Sequence, residues 1–462
     1  MINDLMLSEA AVSILKKNFK AEIGEDMLIV CDEPRIRIAD ALAVAASRIG
    51  VKAYIMLLSD NFRKTSDVTK PKLGTSIREA IESVDIIILC LANIPNELNF
   101  RRFFIRAIRK SPVRVAVMLG IDENSFLEIC DSPKPEYVER IGNDVAILLA
   151  NGRKTRVISP SGTDVTFSLY GWKIPPEISS GYVDQPSIWG NLPGAEVFVV
   201  PMTKTAEGKI CIDLTIAPDH LLSAPLSFDV RKGVVDPASV KSQDEEAIKL
   251  ITQTLNKKNG SFLSEFGIGL NTKILKAKGI ILVDEKMYST AHFSLGDNRE
   301  FGGKTRSNVH YDMVFTKPTI LIDDVPIMKE GVFVYTSKQM KNDYKDFEGL
   351  IDSNVLLKGS PWANCVRFNG QLAKIWRGGA NRVHAYRLGN HKTSMLAEKI
   401  WSAIKYSGST PTELSEYLKI DLETVKKVVE LLVYNQVISL FSKDDSESVE
   451  KLGQKAKQVE LL

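Results

Sequence analysis

The sequence predicts a chain of three parts. An α/β N-terminal domain spans residues 1–150, an α+β domain spans 151–358, and three short strands followed by three helices occupy 362–442, with a polar tail at 443–462. Over 1–150, short continuous apolar runs alternate with helical patterns, the mark of a parallel sheet buried on both faces. MLIVC at 27–31 reads as a buried strand, IADALAVAASRIG at 38–50 as a helix closed by Gly50, and AYIML at 53–57 as the next strand. DIIILCLA at 85–92 and VRVAVML at 113–119 continue the pattern around a basic helical stretch, NFRRFFIRAIRK.

From 151 the texture changes to short strands with turn residues: RVISPSGTDVTFSLYG, AEVFVVPM and KICIDLTIA, with FDVRKGVVDPAS as a hairpin before a helix over 243–257. Farther on, CVRF, LAKIW and RVHAYRL read as strands separated by glycine turns. TSMLAEKIWSAIKY, TPTELSEYLK and DLETVKKVVELLVYNQ follow as helices. That order, with a Thr-Pro start to the second helix, is the shape of a winged-helix module.

Bulk properties narrow the function classes. At 462 residues the chain exceeds one ordinary core. With 44% hydrophobic and 25% charged residues it has the composition of a soluble globular protein. The net charge of +3 gives no reason to expect nucleic acid or a membrane surface as partner. Five cysteines (Cys31, Cys90, Cys130, Cys211 and Cys365) are far apart and form no CxxC pair, so a reducing cytoplasm is expected. The N-terminal segment lacks a basic start followed by an apolar block, and no apolar run reaches the roughly 18 residues of a membrane helix. A dinucleotide site in the first sheet is disfavoured, because CDEPRIRIAD after the first strand holds no glycine to bring backbone amides onto a phosphate. A scaffold or substrate-gating role is expected for that domain.

The residues suited to chemistry fall between Glu196 and Asp312. Of five histidines, His292 and His310 stand in notable company. In the HYD segment, strand alternation places His310 and Asp312 on one face, where both reach one ion. His292 follows Glu285 by seven residues, Glu265 opens EFGIGLN, and Glu196 interrupts the apolar run of NLPGAEVFVVP. A carboxylate in an apolar strand is costly unless paired or bound to a cation. An HxD pair is common by chance, a lone His292 fits a core histidine, and Glu265 fits a turn carboxylate. The joint set of four carboxylates and two imidazoles is more telling, and it suits two divalent ions about 3.5–4 Å apart. Such mixed ligands accept Zn²⁺, Mn²⁺ or Co²⁺.

In that order, NLPGAEVFVVP, EFGIGLN, DEKMYSTAHFSLGDN and HYD resemble the thermophilic aminopeptidase family typified by aminopeptidase T. The resemblance covers about residues 1–355 and is most specific over 190–315. It implies a leucyl-aminopeptidase-like exopeptidase with a dinuclear metal centre, held by Glu196, Glu265, Glu285, His292, His310 and Asp312. Arg299 departs from the pattern, since the typical branch has tyrosine there, and Arg299 is assigned to binding an acidic group of the substrate. The segment between the two histidines is also shorter. His220, His384 and His391 match nothing in the family and are read as structural or surface residues.

The fold class expected is thus an α/β N-terminal domain, an α+β metallopeptidase domain and a C-terminal winged helix. In the mechanism this implies, a metal-activated water attacks the peptide bond and Glu196 is the catalytic proton carrier. The C-terminal block resembles the precursor-recognition winged helix of enzymes that modify ribosomally made peptides. Its strands and turns carry Arg377, Arg382 and Arg387 with no acidic residue among them, suited to an acidic leader or carrier peptide added at a sheet edge. The alternatives are a dimerisation module, or a DNA-binding regulator with a vestigial peptidase domain. Against the regulator, the third helix is slightly acidic (Asp421, Glu423 and Glu430 against Lys426 and Lys427), unlike a recognition helix. The partners expected are a peptide substrate and a second copy of the chain, with no nucleic acid and no membrane.

Overall fold

The computed structural model describes residues 3–58, 75–94, 98–105, 111–169, 174, 176–334, 356–359, 365–369, 372–376, 383–387, 391–404, 409–434 and 438–441. The apolar runs of the N-terminal region form a parallel sheet. Its strand order is Lys52–Leu57, Asp26–Cys31, Ile86–Cys90, Arg114–Val117 and Ile188–Asn191. The central strand Ile86–Cys90 is buried at every position, as its unbroken apolar sequence requires. Helix Ile36–Arg48 packs on the first two strands, burying Ile38, Leu42 and Ala45. The fifth strand, Ile188–Asn191, comes from beyond residue 151, so the chain returns to this sheet after starting the next one. At the end of strand Asp26–Cys31, Asp32 accepts the Ala92 amide at 2.6 Å and pairs with Arg35 at 3.0 Å. A carboxylate occupies the crevice where a dinucleotide fold would receive a pyrophosphate.

The strand-rich middle of the chain builds two further sheets. An eight-stranded sheet runs Val234–Val235, Leu226–Arg231, Glu207–Ile212, Asp164–Ser168, Lys154–Ile158, Thr319–Ile322, Val325–Lys329 and Val332–Phe333. A seven-stranded sheet runs His220–Leu221, Thr215–Ile216, His310–Thr316, Thr290–Gly296, Leu263–Gly269, Glu196–Val199 and Glu177–Ser179. They share one core, in which Phe167 of the first meets Phe266 and Phe293 of the second at ring separations of 5.3 and 6.4 Å. Phe293 also stacks on Phe315 at 5.6 Å.

Period-two alternation decides what the other face of the seven-stranded sheet carries. Val197, Val199, Phe266, Ile268, Ala291, Phe293, Leu295, Tyr311 and Met313 point into the shared core. Their alternates, Glu196, Glu265, His292, Ser294, His310 and Asp312, therefore lie on the opposite face of four adjacent strands. The register brings them level: Gly267 pairs with His292, Ser294 with Asp312, Gly296 with His310 and Gly269 with Glu196.

The chain divides into two compact units, Met1–Trp172 with Pro176–Phe333, and Val334–Leu462 with Lys173–Pro175. The second contains the three antiparallel strands Cys365–Asn369, Leu372–Trp376 and Val383–Arg387, then helices His391–Ile404, Pro411–Leu418 and Leu422–Tyr434. Thr410 starts the middle helix with a capping box closed by Glu413. A further strand, Ile438–Phe441, pairs with Leu356–Gly359. Three strands followed by three helices is the order read from the sequence. Arg377, Arg382, the side chain of Arg387 and the tail at 443–462 lie outside the described residues. Among the described residues, no helix is long and apolar enough to cross a membrane.

Because Phe293 joins the rings of both sheets, Phe293→Ala should lower the unfolding free energy by about 3–5 kcal/mol in urea titrations. A loss below about 1 kcal/mol would mean that the two sheets do not depend on this contact.

Candidate metal centre

All six residues singled out by sequence come together in three overlapping groups, five of them on the face just described and Glu285 from the end of helix Ile281–Asp284. Glu196, Glu265 and His292 form one, Glu265, His310 and Asp312 the second, and Glu285, His292 and Asp312 the third, each with ligand atoms within 4.8 Å of one another. Glu265 lies between the imidazoles, its Oε1 3.3 Å from His292 Nε2 and its Oε2 3.2 Å from His310 Nε2. His310 Nε2 is also 3.1 Å from Asp312 Oδ1. Glu196, Glu265, Glu285 and His292 are buried, while His310 and Asp312 are partly open.

Local structure explains why these side chains fit. A Cβ at Gly267 would collide with the His292 ring on the neighbouring strand. Only a glycine between Glu265 and Gly269 leaves that ring its place. A Cβ at Gly269 would meet the backbone of Lys286 and Met287, so this glycine lets the loop after helix Ile281–Asp284 lie against the strand. The Asn271 amide donates to the Lys286 carbonyl at 2.7 Å and pins the loop there.

Sequence reasoning missed four residues of the site. Lys286 is wholly buried, its Nζ donating to Glu196 Oε1 at 2.6 Å and also to Glu285 Oε1. Ser294 donates its hydroxyl to Asp312 Oδ1. Asp297 presents its backbone carbonyl to His310 Nδ1 at 2.8 Å, which keeps a proton on Nδ1 and makes Nε2 the nitrogen that would coordinate an ion once it loses its own proton. Arg102, from a helix of the first sheet's layer, clamps the Asp297 carboxylate at 2.5 Å and Glu300 at 2.5 Å. The available signals were the glycines of EFGIGLN and the lysine following Asp-Glu in DEKM.

The charges respond to this crowding. Burial raises the Glu285 carboxyl to about 7, with Lys286 opposing and Glu196 adding to the rise. Burial would lower His292, but its hydrogen bond to Glu265 and the charges of Glu285 and Glu196 lift it to about 9. His310 is raised well above its ordinary value against burial, chiefly by Asp312. Burial would raise Asp312 and Glu265, yet both lie below the usual carboxylate range, Asp312 chiefly through the charge of His310 and Glu265 through hydrogen bonds from His292 and His310.

The donor set fits a divalent cation. Four carboxylates face one ammonium, and Glu196 Oε2 and His292 Nδ1 are buried without a hydrogen-bond partner. Excess buried negative charge of this kind is tolerated when a cation neutralises it.

The family model of 2,5-dihydroxypyridine 5,6-dioxygenase, NicX, matches residues 14–335, well over half of the chain and every residue of this site. The chain belongs to the NicX family. The 2,5-dihydroxypyridine 5,6-dioxygenase of Pseudomonas putida KT2440 is 24% identical over 195 residues, 40% of this chain and 55% of the relative. The chain thus spans about half the length of that curated relative in the matched alignment. The solved 2,5-dihydroxypyridine dioxygenase of the same organism superposes with a TM-score of 0.57 at 17% identity, covering 73% of this chain and 99% of that one. AmpT from Thermus thermophilus superposes with a TM-score of 0.51 at 16% identity, covering 72% and 99%.

The aminopeptidase resemblance is therefore one of fold. NicX membership overturns the reading of the chain as a hydrolase, a metallo-exopeptidase or protease, and with it the alternative of a DNA-binding regulator. The physical reason is that one scaffold can host different chemistries, so a likeness in fold and donor types does not name the reaction. The residue chosen as proton carrier, Glu196, has one oxygen committed to Lys286. Arg299 is likewise engaged, its Nε and a terminal nitrogen meeting Asp297 Oδ2 at 2.8 and 2.7 Å, with 35% of its side chain exposed. His220 lies apart in a pair with Asp244, the N-cap of helix Glu245–Leu255.

The raised imidazoles predict a pH signature. With His292 at about 9 and His310 also raised, both rings of the metal-free protein are protonated near neutrality, whereas coordination needs them neutral. Binding of Mn²⁺ should therefore release protons at about pH 7, and its affinity should rise as the pH approaches 9. Calorimetry in buffers of different ionisation heat measures this. Binding without proton release would remove the histidines from the ligand set.

Proposed function

We propose that this protein is an iron-dependent dioxygenase acting on a hydroxylated pyridine-type ring. The observation that carries the reading is the pair His292 and His310 meeting the Asp312 and Glu265 carboxylates on one sheet face, within the span matched by the family model. Two imidazoles with a carboxylate and open positions are the ligand set of non-haem Fe(II) oxygenases. His292, His310 and Asp312 would hold the ion, with Glu265 between the two rings. When bound, such an ion supplies the redox chemistry by which dioxygen reacts with an electron-rich ring.

The protein's own residues prepare that reaction. The Asp297 carbonyl fixes the His310 tautomer, and the Ser294 hydroxyl holds one oxygen of Asp312. Arg102 and Arg299 hold the Asp297 carboxylate, which keeps the carbonyl-bearing segment in place. Beside His310 stands an aromatic wall, Phe301 edge-on to the imidazole at 5.3 Å and to Phe198 at 5.0 Å. A flat aromatic ring packs well against such a wall, and the wall keeps water from that side. The exposed part of Arg299 is assigned to an anionic oxygen of the substrate. Capture of an acidic peptide by the C-terminal strands is a separate proposal, resting on the basic residues Arg377, Arg382 and Arg387.

His310→Ala should lose most of its bound iron and all dioxygen consumption with 2,5-dihydroxypyridine, while its unfolding transition stays cooperative. Iron content measured after dialysis and an oxygen electrode report the two effects. Wild-type iron content in the variant would show that the ion sits elsewhere.

A further inference from the structure

The ligand set proposed for the iron leaves two buried carboxylates unused, those of Glu196 and Glu285. Each belongs to a three-residue group that could hold a cation, and both groups share His292 with the iron ligands. Glu196 joins Glu265 and His292, and Glu285 joins His292 and Asp312. The scaffold is shared with an aminopeptidase, and the donors present outnumber those a single ion needs. Yet the ammonium of Lys286 stands between Glu196 Oε1 and Glu285 Oε1, donating to both.

Its position is built rather than incidental. The side chain is wholly buried. Its backbone carbonyl accepts from Asn271, its amide donates to Val283 at 3.1 Å, and its loop lies in the space left by the missing Cβ of Gly269. Asp284, two residues earlier, accepts from Thr215 at 2.6 Å and from the amides of Lys278 and Gly279. The loop cannot swing the lysine away without breaking these bonds.

We infer that Lys286 is an internal counter-cation that takes the place of a second divalent ion and holds this centre to one metal. A fixed positive charge satisfies Glu196 and Glu285, and it repels a second cation at close range, where burial keeps the dielectric low. The same ammonium leaves the carboxylates that face the iron free of competition from a neighbouring divalent charge. The inference rests on the iron-site reading above and concerns the half of the cluster which that reading does not use.

The test is metal stoichiometry, read on the full chain. Wild-type protein and the variants Lys286→Met, Lys286→Gln and Lys286→Arg are titrated with Mn²⁺ alone, dialysed and analysed for metal. Low-temperature electron paramagnetic resonance then distinguishes isolated from spin-coupled Mn²⁺ pairs. The expected result is about one ion in the wild type and in Lys286→Arg, and about two, with spin coupling, in the Met and Gln variants. Removing the ammonium leaves buried carboxylates unpaired. If the Met and Gln variants fold only when Mn²⁺ is present, with a midpoint that rises with its concentration, that rescue equally supports the inference. One ion throughout, or failure of Mn²⁺ to rescue both neutral variants, overturns the counter-cation role and leaves the iron reading intact. Two ions or none in the wild type would overturn the iron-site reading itself, and the inference with it.

Discussion

Concentrating like charge away from water is the constraint that organises this molecule. Three carboxylates and two imidazoles share one face of a seven-stranded sheet, Glu285 joins them from the end of helix Ile281–Asp284, and most of the six are buried. Unpaired, such groups would cost several kcal/mol each. The surrounding structure works to hold them at fixed separations: glycines where a side chain would displace a ligand, a buried lysine between two carboxylates, and a serine hydroxyl on a third. The excess of negative charge that remains is what a divalent cation would neutralise.

The two layers of the first unit have separate tasks in this. The sandwich core of Phe167, Phe266, Phe293 and Phe315 makes the sheet rigid from behind, so that residues two apart on one strand keep their spacing. The parallel sheet contributes from the other side. Arg102 reaches Asp297 and Glu300, and Asn93 donates to the Pro218 carbonyl. The basic helical stretch of the N-terminal region thereby has a structural use. It ties the segment that supports His310 to the first sheet's layer.

Much of the site was legible because strand alternation is a strict rule. His310 and Asp312 do share a face, and Glu196 does interrupt a buried run, as a period of two requires. Lys286 was not legible, because a lysine beside an Asp-Glu pair is ordinarily a solvated loop residue, and only the tertiary fold carries it into the cluster. Gly267 and Gly269 stood in plain view in EFGIGLN, but a glycine in a strand does not say which neighbour needs the space. The return of Ile188–Asn191 to the parallel sheet is a long-range pairing that local pattern does not encode. The chemistry was misread for a different reason. Metal ligands name a cation far better than a reaction, and one fold hosts unrelated chemistries.

Isotope tracing decides whether the site carries out oxygen chemistry. The iron-loaded protein is given 2,5-dihydroxypyridine under ¹⁸O-labelled dioxygen, and the product is weighed by mass spectrometry. A dioxygenase places both atoms of labelled dioxygen in the product, with none from solvent, and the protein stripped of iron forms no product. A product whose new oxygen comes from water, or turnover that continues without dioxygen, would contradict the account.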